Sequence, residues 1–494
     1  MNVSESYGTK QPRGTATTLI DLVRRDDQDE YLFPSKTNFS KFVRDDTLRT
    51  IPMSSVFREL TFRGPAEFGQ TFLFDLLQTQ CGDLIQGLYI QIKLGDWFPS
   101  VIRTSLKQNL TSFKDSSQAW TYANSLGTVL LEEATLEVDD QVLERITGDS
   151  NAVISTLFPD LNTQIGLQDI EGKKSIDEVK AWNGTSHLPT EDGWITVPLW
   201  FSMLRGSRNE TFPLIACRDG TVRLRLTLKR FDQIVRKVSG VRNSCKETPL
   251  SKEFAVNNLQ FVSTKGAISE KISSHTTPPK LSQIQLLCHG YFVDGPYRQM
   301  LLRQPFERPF REIQHFRFTE PLKYVITKTT SDTIHVQLPL EANQPIEEIV
   351  WFLRRKSAIT LNNDWVNYSA TLEKDYDPIY APLEPLLVSA TLQANGIDII
   401  QEKEAWFRSH IARAHRSGNI SYNSFLYGYS FARNPGEHST TGSFNASRVN
   451  SLRLTLEVNP PSGNESTEWE VFVYIFAFQW VRFGNGICNK VFSD

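Results

Sequence analysis

Val222–Leu228 reads VRLRLTL, and this stretch decides the fold. Val222, Leu224, Leu226 and Leu228 alternate with Arg223, Arg225 and Thr227. Successive side chains of a strand point to opposite faces, so a period of two gives one buried face and one wet face. Leu452–Val458, LRLTLEV, repeats the pattern. Similar runs recur along the whole chain, separated by clusters of Gly, Pro, Asn and Asp. Many short strands with turn signals between them predict sandwiches or barrels. Helical segments are few. Gln401–Arg416 is the best, with Trp406, Phe407, Ile411 and Ala414 as an apolar stripe and Gly418 as a stop. Arg298–Pro309 predicts a short helix after the Gly295-Pro296 turn, and Thr18–Arg25 a single turn.

The chain has 494 residues, 39% of them hydrophobic and 11% aromatic. A single core stops growing at roughly 250–300 residues, so two domains are expected. The polar stretch Asn243–Ser274, near the midpoint, is the predicted junction. The two alternating strands quoted above fall late in each half, a hint of duplication.

Charge excludes one class of function. The formal net charge is −3 and the sequence pI is about 6.3. A protein that coats nucleic acid carries a basic patch or a high pI. Here Lys and Arg are scattered, and pairs such as Arg354-Arg355 read as solvated faces. The five cysteines, Cys81, Cys217, Cys245, Cys288 and Cys488, form no CxxC pair, and reduced, buried thiols are expected. The opening MNVSESYGTKQPRG lacks the apolar segment of a secretory signal. Val471–Phe478, the longest dense apolar run, is far short of the ~20 residues of a membrane span. The Asn-x-Ser/Thr triplets at Asn38, Asn109, Asn183, Asn367 and Asn464 are expected to be unmodified.

Motifs for chemistry fail one by one. The eight histidines are His187, His275, His289, His315, His335, His410, His415 and His438, and none forms HExxH. His410 and His415 are five apart on the predicted helix, whereas one helix face is served by spacings of three or four. His289 beside Cys288 reads as a structural pair in or near a strand. No GxSxG elbow or GxxxxGK[ST] loop occurs. Gly484-Asn485-Gly486 reads as a tight hairpin turn. The doublets Asp26-Asp27, Asp45-Asp46, Glu132-Glu133 and Asp139-Asp140 are adjacent residues, which a strand turns to opposite faces, so none is a facing glycosidase pair. No catalytic, cofactor-binding or metal-ligating residue is assigned, and no enzyme activity is expected. A glycan-binding sandwich is the alternative from another class, with an exposed Trp182 or Trp194 as its mark.

Two terminal stretches point elsewhere. Thr17–Phe42 reads TTLIDLVRRDDQDEYLFPSKTNFSKF, and Tyr427–Asn450 reads YGYSFARNPGEHSTTGSFNASRVN. Between them stand, in order, Glu59–Phe68, Gly82-Asp83-Leu84-Ile85, Tyr122–Val138, Val138–Glu144, Val197-Pro198-Leu199-Trp200-Phe201, Leu214-Ile215-Ala216, Gly290–Asp294 and Gln344–Trp351. Arg482–Cys488 closes the series. In order and coverage these segments resemble the major capsid proteins of nucleocytoplasmic large DNA viruses. Arg25-Asp26-Asp27 stands where that family has small residues, Gln344 where it has a histidine, and Thr441-Gly442-Ser443 where it often has a proline-serine-glycine turn.

The resemblance implies an all-β fold of two tandem eight-stranded antiparallel jelly-roll barrels with few short helices. It implies an N-terminal arm over residues 1–50, barrel one over 51–245, a linker over 246–275 and barrel two over 276–494. Insertions at Trp97–Trp120, Pro159–Gly193 and Ser357–Pro382 are expected to be loops of an outward tower. The expected function is structural, a homotrimeric pseudo-hexagonal capsomer tiling an icosahedral shell. A minor capsid or penton-region paralogue is the variant. Expected partners are further copies of the chain and minor capsid proteins, with the arm toward the inner membrane and no direct contact with nucleic acid. The expected location is the virion capsid, assembled in a cytoplasmic viral factory.

Overall fold

The computed structural model describes residues 51–62, 64–94, 119–123, 125–172, 193–204, 211–238, 261–265, 268–272, 281–319, 334–356, 358–359, 363, 365–370, 384–415, 424–437, 439–458 and 469–492. The expected arm and the turn at Thr18–Arg25 lie outside these residues, as do His187, His275, His438, Cys245 and Trp182. Pro52–Asp494 is one compact unit.

The first half supplies strands β1 (Met53–Thr61), β2 (Thr71–Asp75), β3 (Leu84–Leu94), β4 (Ala119–Tyr122), β5 (Leu131–Val138), β6 (Gln141–Thr147), β7 (Trp194–Pro198), β8 (Val222–Leu228) and β9 (Val235–Val238). Then come β10 (Phe261–Lys265), β11 (Ile268–Ile272) and β12 (Leu281–Val293). The rest are β13 (Phe306–Phe318), β14 (Ile334–Leu340), β15 (Pro345–Arg355), β16 (Leu387–Ala394), β17 (Ile397–Lys403), β18 (Tyr427–Ser430), β19 (Phe444–Asn445), β20 (Leu452–Val458), β21 (Trp469–Gly484) and β22 (Ile487–Lys490).

These strands build two sandwiches. The first packs the sheet β1-β12-β3-β7 on the sheet β2-β8-β5-β6. Ile90 and Ile92 of β3 meet Leu226 and Leu228 of β8 across the gap. The second consists of β13-β21-β15-β18, with β19 and β22 attached, and β14-β20-β16-β17. The strand pairings are antiparallel, for instance β8 with β5 and β20 with β14. The alternation read from the sequence is realised in both diagnostic strands. Val222, Leu224, Leu226 and Leu228 are buried, and so are Leu452, Leu454, Leu456 and Val458. The fold is all-β, with tandem jelly-roll sandwiches.

Sheet membership departs from the expected boundaries at one strand. The second barrel expected over 276–494 includes β12, yet β12 lies between β1 and β3, paired with Leu60 through Leu286 and with Ile90 through the same residue. Local pattern cannot reveal this, because a strand reads alike whichever sheet receives it. Within the expected linker, β10 and β11 form a hairpin.

Local chemistry explains the turns and helices. Asp139 and Asp140 both have positive φ between Val138 and Gln141, and Asn485 and Gly486 do the same between Gly484 and Ile487. Two successive positive φ values make the hairpin turn that matches strand twist. The doublet Asp139-Asp140 is therefore the turn of the β5–β6 hairpin. The helix predicted over Gln401–Arg416 spans Glu404–Ala414, with Phe407 and Ile411 buried, and its first three expected residues belong to β17. The helix expected at Arg298–Pro309 runs earlier, over Gly295–Arg303, because Asp294 accepts the Gly295 N–H and Pro296 suits a first turn. The expected loop Pro159–Gly193 opens with a helix, Leu161–Glu171, capped by Asp160 on Thr163 and stopped by left-handed Gly172. Another helix, Gly148–Leu157, starts at a Thr147/Ser150 capping box. Among the described residues no helix is long and apolar enough to cross a membrane.

Candidate functional site at the seam between the sandwiches

The histidines, carboxylates and tryptophans that could carry chemistry do not converge among the described residues. His410 and His415 diverge as expected: His410 Nε2 receives the Ser430 N–H at 3.2 Å, while His415 Nε2 lies 2.6 Å from Glu348 Oε2 in the interior. His289 stacks on Phe57 at 4.0 Å, and Cys288 is buried on the other face of β12. Glu133 pairs with Arg145 on the next strand. Trp194 is half-buried beneath the Lys93 ammonium. Asn367 turns its side-chain oxygen onto the Ser369 N–H and hydroxyl. No three His, Cys, Asp or Glu residues gather as a metal site among the described residues.

What does converge is a dense polar and aromatic seam where the two sandwiches meet. Arg354 and Arg355, read from sequence as a solvated pair, are 2% and 1% exposed. Both sit at the end of β15, a strand buried along almost its whole length. Arg354 Nη1 and Nη2 donate to the two oxygens of Asp149 at 2.7 and 3.1 Å. Asp149 lies in the first turn of the helix Gly148–Leu157, so the pair ties the second sandwich to the first. A helix N-terminus itself favours a carboxylate. Burial alone would raise the Asp149 carboxyl's pKa, but the charge and hydrogen bonds of Arg354 outweigh it and hold the carboxyl below its usual range. The Arg354 plane also lies over Phe472 and Trp365, at 4.5 and 5.3 Å.

Lys229 completes this cluster from the first sandwich. Its ammonium donates to the carbonyls of Val129 and Leu131 at 2.8 and 3.1 Å and lies 4.2 Å above the Trp365 ring. Burial lowers its pKa to about 8, against the pull of Asp149. Trp365 in turn donates its indole N–H to the Gln233 carbonyl, and the Asn363 amide donates to the Asp232 carbonyl.

A second chain of bonds crosses the seam nearby. Glu144 of β6 accepts the Ser202 N–H at 2.6 Å, and the Ser202 hydroxyl accepts the Arg311 N–H of β13 at 2.8 Å. The Arg311 guanidinium donates to both oxygens of Glu347, at 2.5 and 3.2 Å, and to the Glu437 carbonyl. Glu347 is fully buried; burial raises its pKa, against the opposing effect of Arg311. It also accepts the Gly436 N–H. Gly436 has φ +82°, and a Cβ there would stand 2.6 Å from the ring of Phe158. Phe158 packs at the same time on His415 and on Phe476, at 4.9 and 5.5 Å.

The distinctive stretch Tyr427–Asn450 thus has a physical reading. Its first strand pairs with β15, its Gly436-Glu437 turn wraps the Arg311–Glu347 pair, and Ser447 accepts the Gln344 N–H at the start of β15. Sequence reasoning missed Asp149, Lys229, Arg311, Glu347 and Arg354. Only one signal was available: Arg354-Arg355 and Glu347-Glu348 are charges inside an otherwise apolar strand, which demand buried partners.

Two family models match the sequence. The N-terminal model of the major capsid protein covers residues 47–263, and the model of the large eukaryotic DNA virus major capsid protein covers residues 308–488. No curated protein matches the sequence. Among solved structures, the chain is similar to the VP54 capsid protein of PBCV-1, with TM-score 0.62 and 16% identity over 92% of this chain and 100% of that one. It is similar to the Faustovirus major capsid protein, with TM-score 0.61 and 12% identity over 90% of this chain and 92% of that one. A cryo-EM structure of the Sputnik virophage follows, at TM-score 0.55 and 9% identity over 92% of each chain. At such identities the likeness speaks for the fold, and the two family models carry the assignment. These are structural proteins rather than enzymes, and the chain belongs to the major capsid protein family of large eukaryotic DNA viruses.

Proposed function

We propose that the chain is the tile of an icosahedral shell, three copies forming one pseudo-hexagonal capsomer. The observation that carries this reading is the seam. Two similar sandwiches held at a fixed mutual angle let a threefold trimer present near-sixfold edges, and such edges pack in a flat array. Buried, hydrogen-bonded charge pairs suit that task, since misalignment would leave them unpaired. In this reading barrel one comprises 51–245 together with β12, and barrel two the remainder of 276–494. The segment 1–50 acts as an arm beneath the barrels, toward the inner membrane and minor capsid proteins. The protein makes no direct contact with nucleic acid and assembles in a cytoplasmic viral factory. No residue serves catalysis, a cofactor or a metal.

Light scattering coupled to size exclusion tests the trimer. A stable species of three times 56.4 kDa is expected, with hexagonal arrays by electron microscopy. A folded monomer at every concentration would overturn the tile reading. Removing residues 1–42 should leave the trimer intact and impair shell assembly.

A further inference from the structure

Four of the five cysteines lie among the described residues, and they form two pairs of buried thiols. Cys81 hydrogen-bonds with Cys288, and Cys217 with Cys488. The pairs differ in what surrounds them. Cys288 is in the middle of β12, facing Arg58 of β1 on one side and Leu88 of β3 on the other. The Cys81 carbonyl packs so closely on β12 that a Cβ at Gly290 would come within 1.8 Å of it. Exposing this pair means opening the centre of a sheet.

The second pair spans the seam. Cys217 belongs to the short helix Leu214–Cys217 of the first sandwich, and Cys488 to β22 of the second. The backbones are tied beside them, since the Asp219 N–H donates to the Gly486 carbonyl at 3.0 Å. β22 has four residues, pairs with β21 through Val481–Gly484, and exposes Ile487 and Asn489 on either side of Cys488. A short strand hydrogen-bonded along one edge opens locally at far less cost than a central one.

We propose that Cys217 and Cys488 are a disulfide-forming modification site that staples the two sandwiches together by exchange with a low-molecular-weight disulfide of the glutathione type. Local opening of β22 frees Cys488, whose thiolate attacks one sulfur of glutathione disulfide and releases one glutathione. Cys217 then attacks the Cys488 sulfur of the mixed disulfide and releases the second glutathione. Two protein thiols and one glutathione disulfide become one protein disulfide and two glutathione thiols. Two electrons pass from the cysteines to glutathione, and the two protons end on the released thiols. The hydrogen bond to Cys488 and burial both push the Cys217 thiol upward, so exchange begins in the opened strand and not in the closed seam.

The test uses the full chain equilibrated with glutathione disulfide, acid-quenched, alkylated with N-ethylmaleimide in denaturant, digested and mapped by mass spectrometry. A peptide pair joined through Cys217 and Cys488 is expected to dominate, while Cys81 and Cys288, the internal control, carry the alkyl group. Cys217→Ser should lose the link and retain glutathione on Cys488. The urea midpoint of the oxidised protein should rise and return on reduction with dithiothreitol, whereas the midpoint of Cys217→Ser should not rise on oxidation, because glutathione on the buried Cys488 holds β22 open instead of stapling it. The proposal is overturned if Cys217 and Cys488 remain fully alkylated. Glutathione held stably on Cys488 in the unsubstituted chain, or links scrambled with Cys81 and Cys288, would overturn it equally. The mapping of the unsubstituted chain decides the matter even if a variant misfolds.

Discussion

Arg354 is joined to Asp149 across 205 positions of sequence, and no local pattern announces such a partnership. Its neighbour Arg355 donates to the Ser369 carbonyl, so an arginine doublet that reads as solvated is held entirely by the interior. Arg354→Ala leaves the Asp149 carboxylate uncompensated and should cost about 3–5 kcal/mol, read from the urea midpoint. The double change Arg354→Met with Asp149→Leu should cost much less, because no charge is stranded. A loss below about 1 kcal/mol for the single change would mean the pair behaves like a surface one. His315 supplies a pH dependence at the same seam. Its Nε2 meets the Arg145 carbonyl at 3.3 Å, and its ring lies edge-on to Tyr474. Burial lowers its pKa from 6.5 to about 4. Between these values the unfolded chain binds a proton that the folded chain refuses. Stability is therefore complete above pH 6.5 and falls as the pH drops toward 4. His315→Gln should flatten that part of the stability curve, measured as urea midpoints across the range; an unchanged slope would remove His315 as the cause.

Strands with one wet face are legible because solvent enforces the alternation, as in β8 and β20. Strands covered on both faces are not. β21 is buried over nearly all of its 16 residues, and its Phe476 packs against Phe158 of the other sandwich. As sequence it is merely an apolar run. Turns were legible at Gly484-Asn485-Gly486, where residue chemistry dictates φ. The helix Glu404–Ala414 was legible from Phe407 and Ile411, whereas Leu161–Glu171 leaves Leu161, Ile165 and Ile170 exposed and shows no buried stripe to read. The placement of β12 gives an element-scale prediction. A fragment ending at residue 275 lacks the strand between β1 and β3, and should show no cooperative urea transition. Extending it through Val293 should restore one. Equal cooperativity in both fragments would contradict the pairing of β12.

For the whole molecule, the seam makes Pro52–Asp494 a single unit, although composition and size argued for two cores. Two family-like halves were visible in the order of segments, but their coupling was not, because it rests on Arg311–Glu347 and Arg354–Asp149 contacts that only tertiary structure brings together. Calorimetry should record one transition for the intact chain. Arg311→Ala together with Arg354→Ala should split it into two; a single transition in that variant would assign the coupling to the aromatic contacts instead. The route of β12 also bears on how the protein is made. A ribosome translating this chain has already released β1, β3 and β7 before Leu281–Val293 emerges, so the first sheet waits open-centred through the synthesis of nearly two-fifths of the polypeptide, the stretch between Leu94 and Leu281. During that interval β1 and β3 display unpaired edges, and it is the nascent chain, more than the finished one, that needs shielding from its neighbours on a crowded polysome.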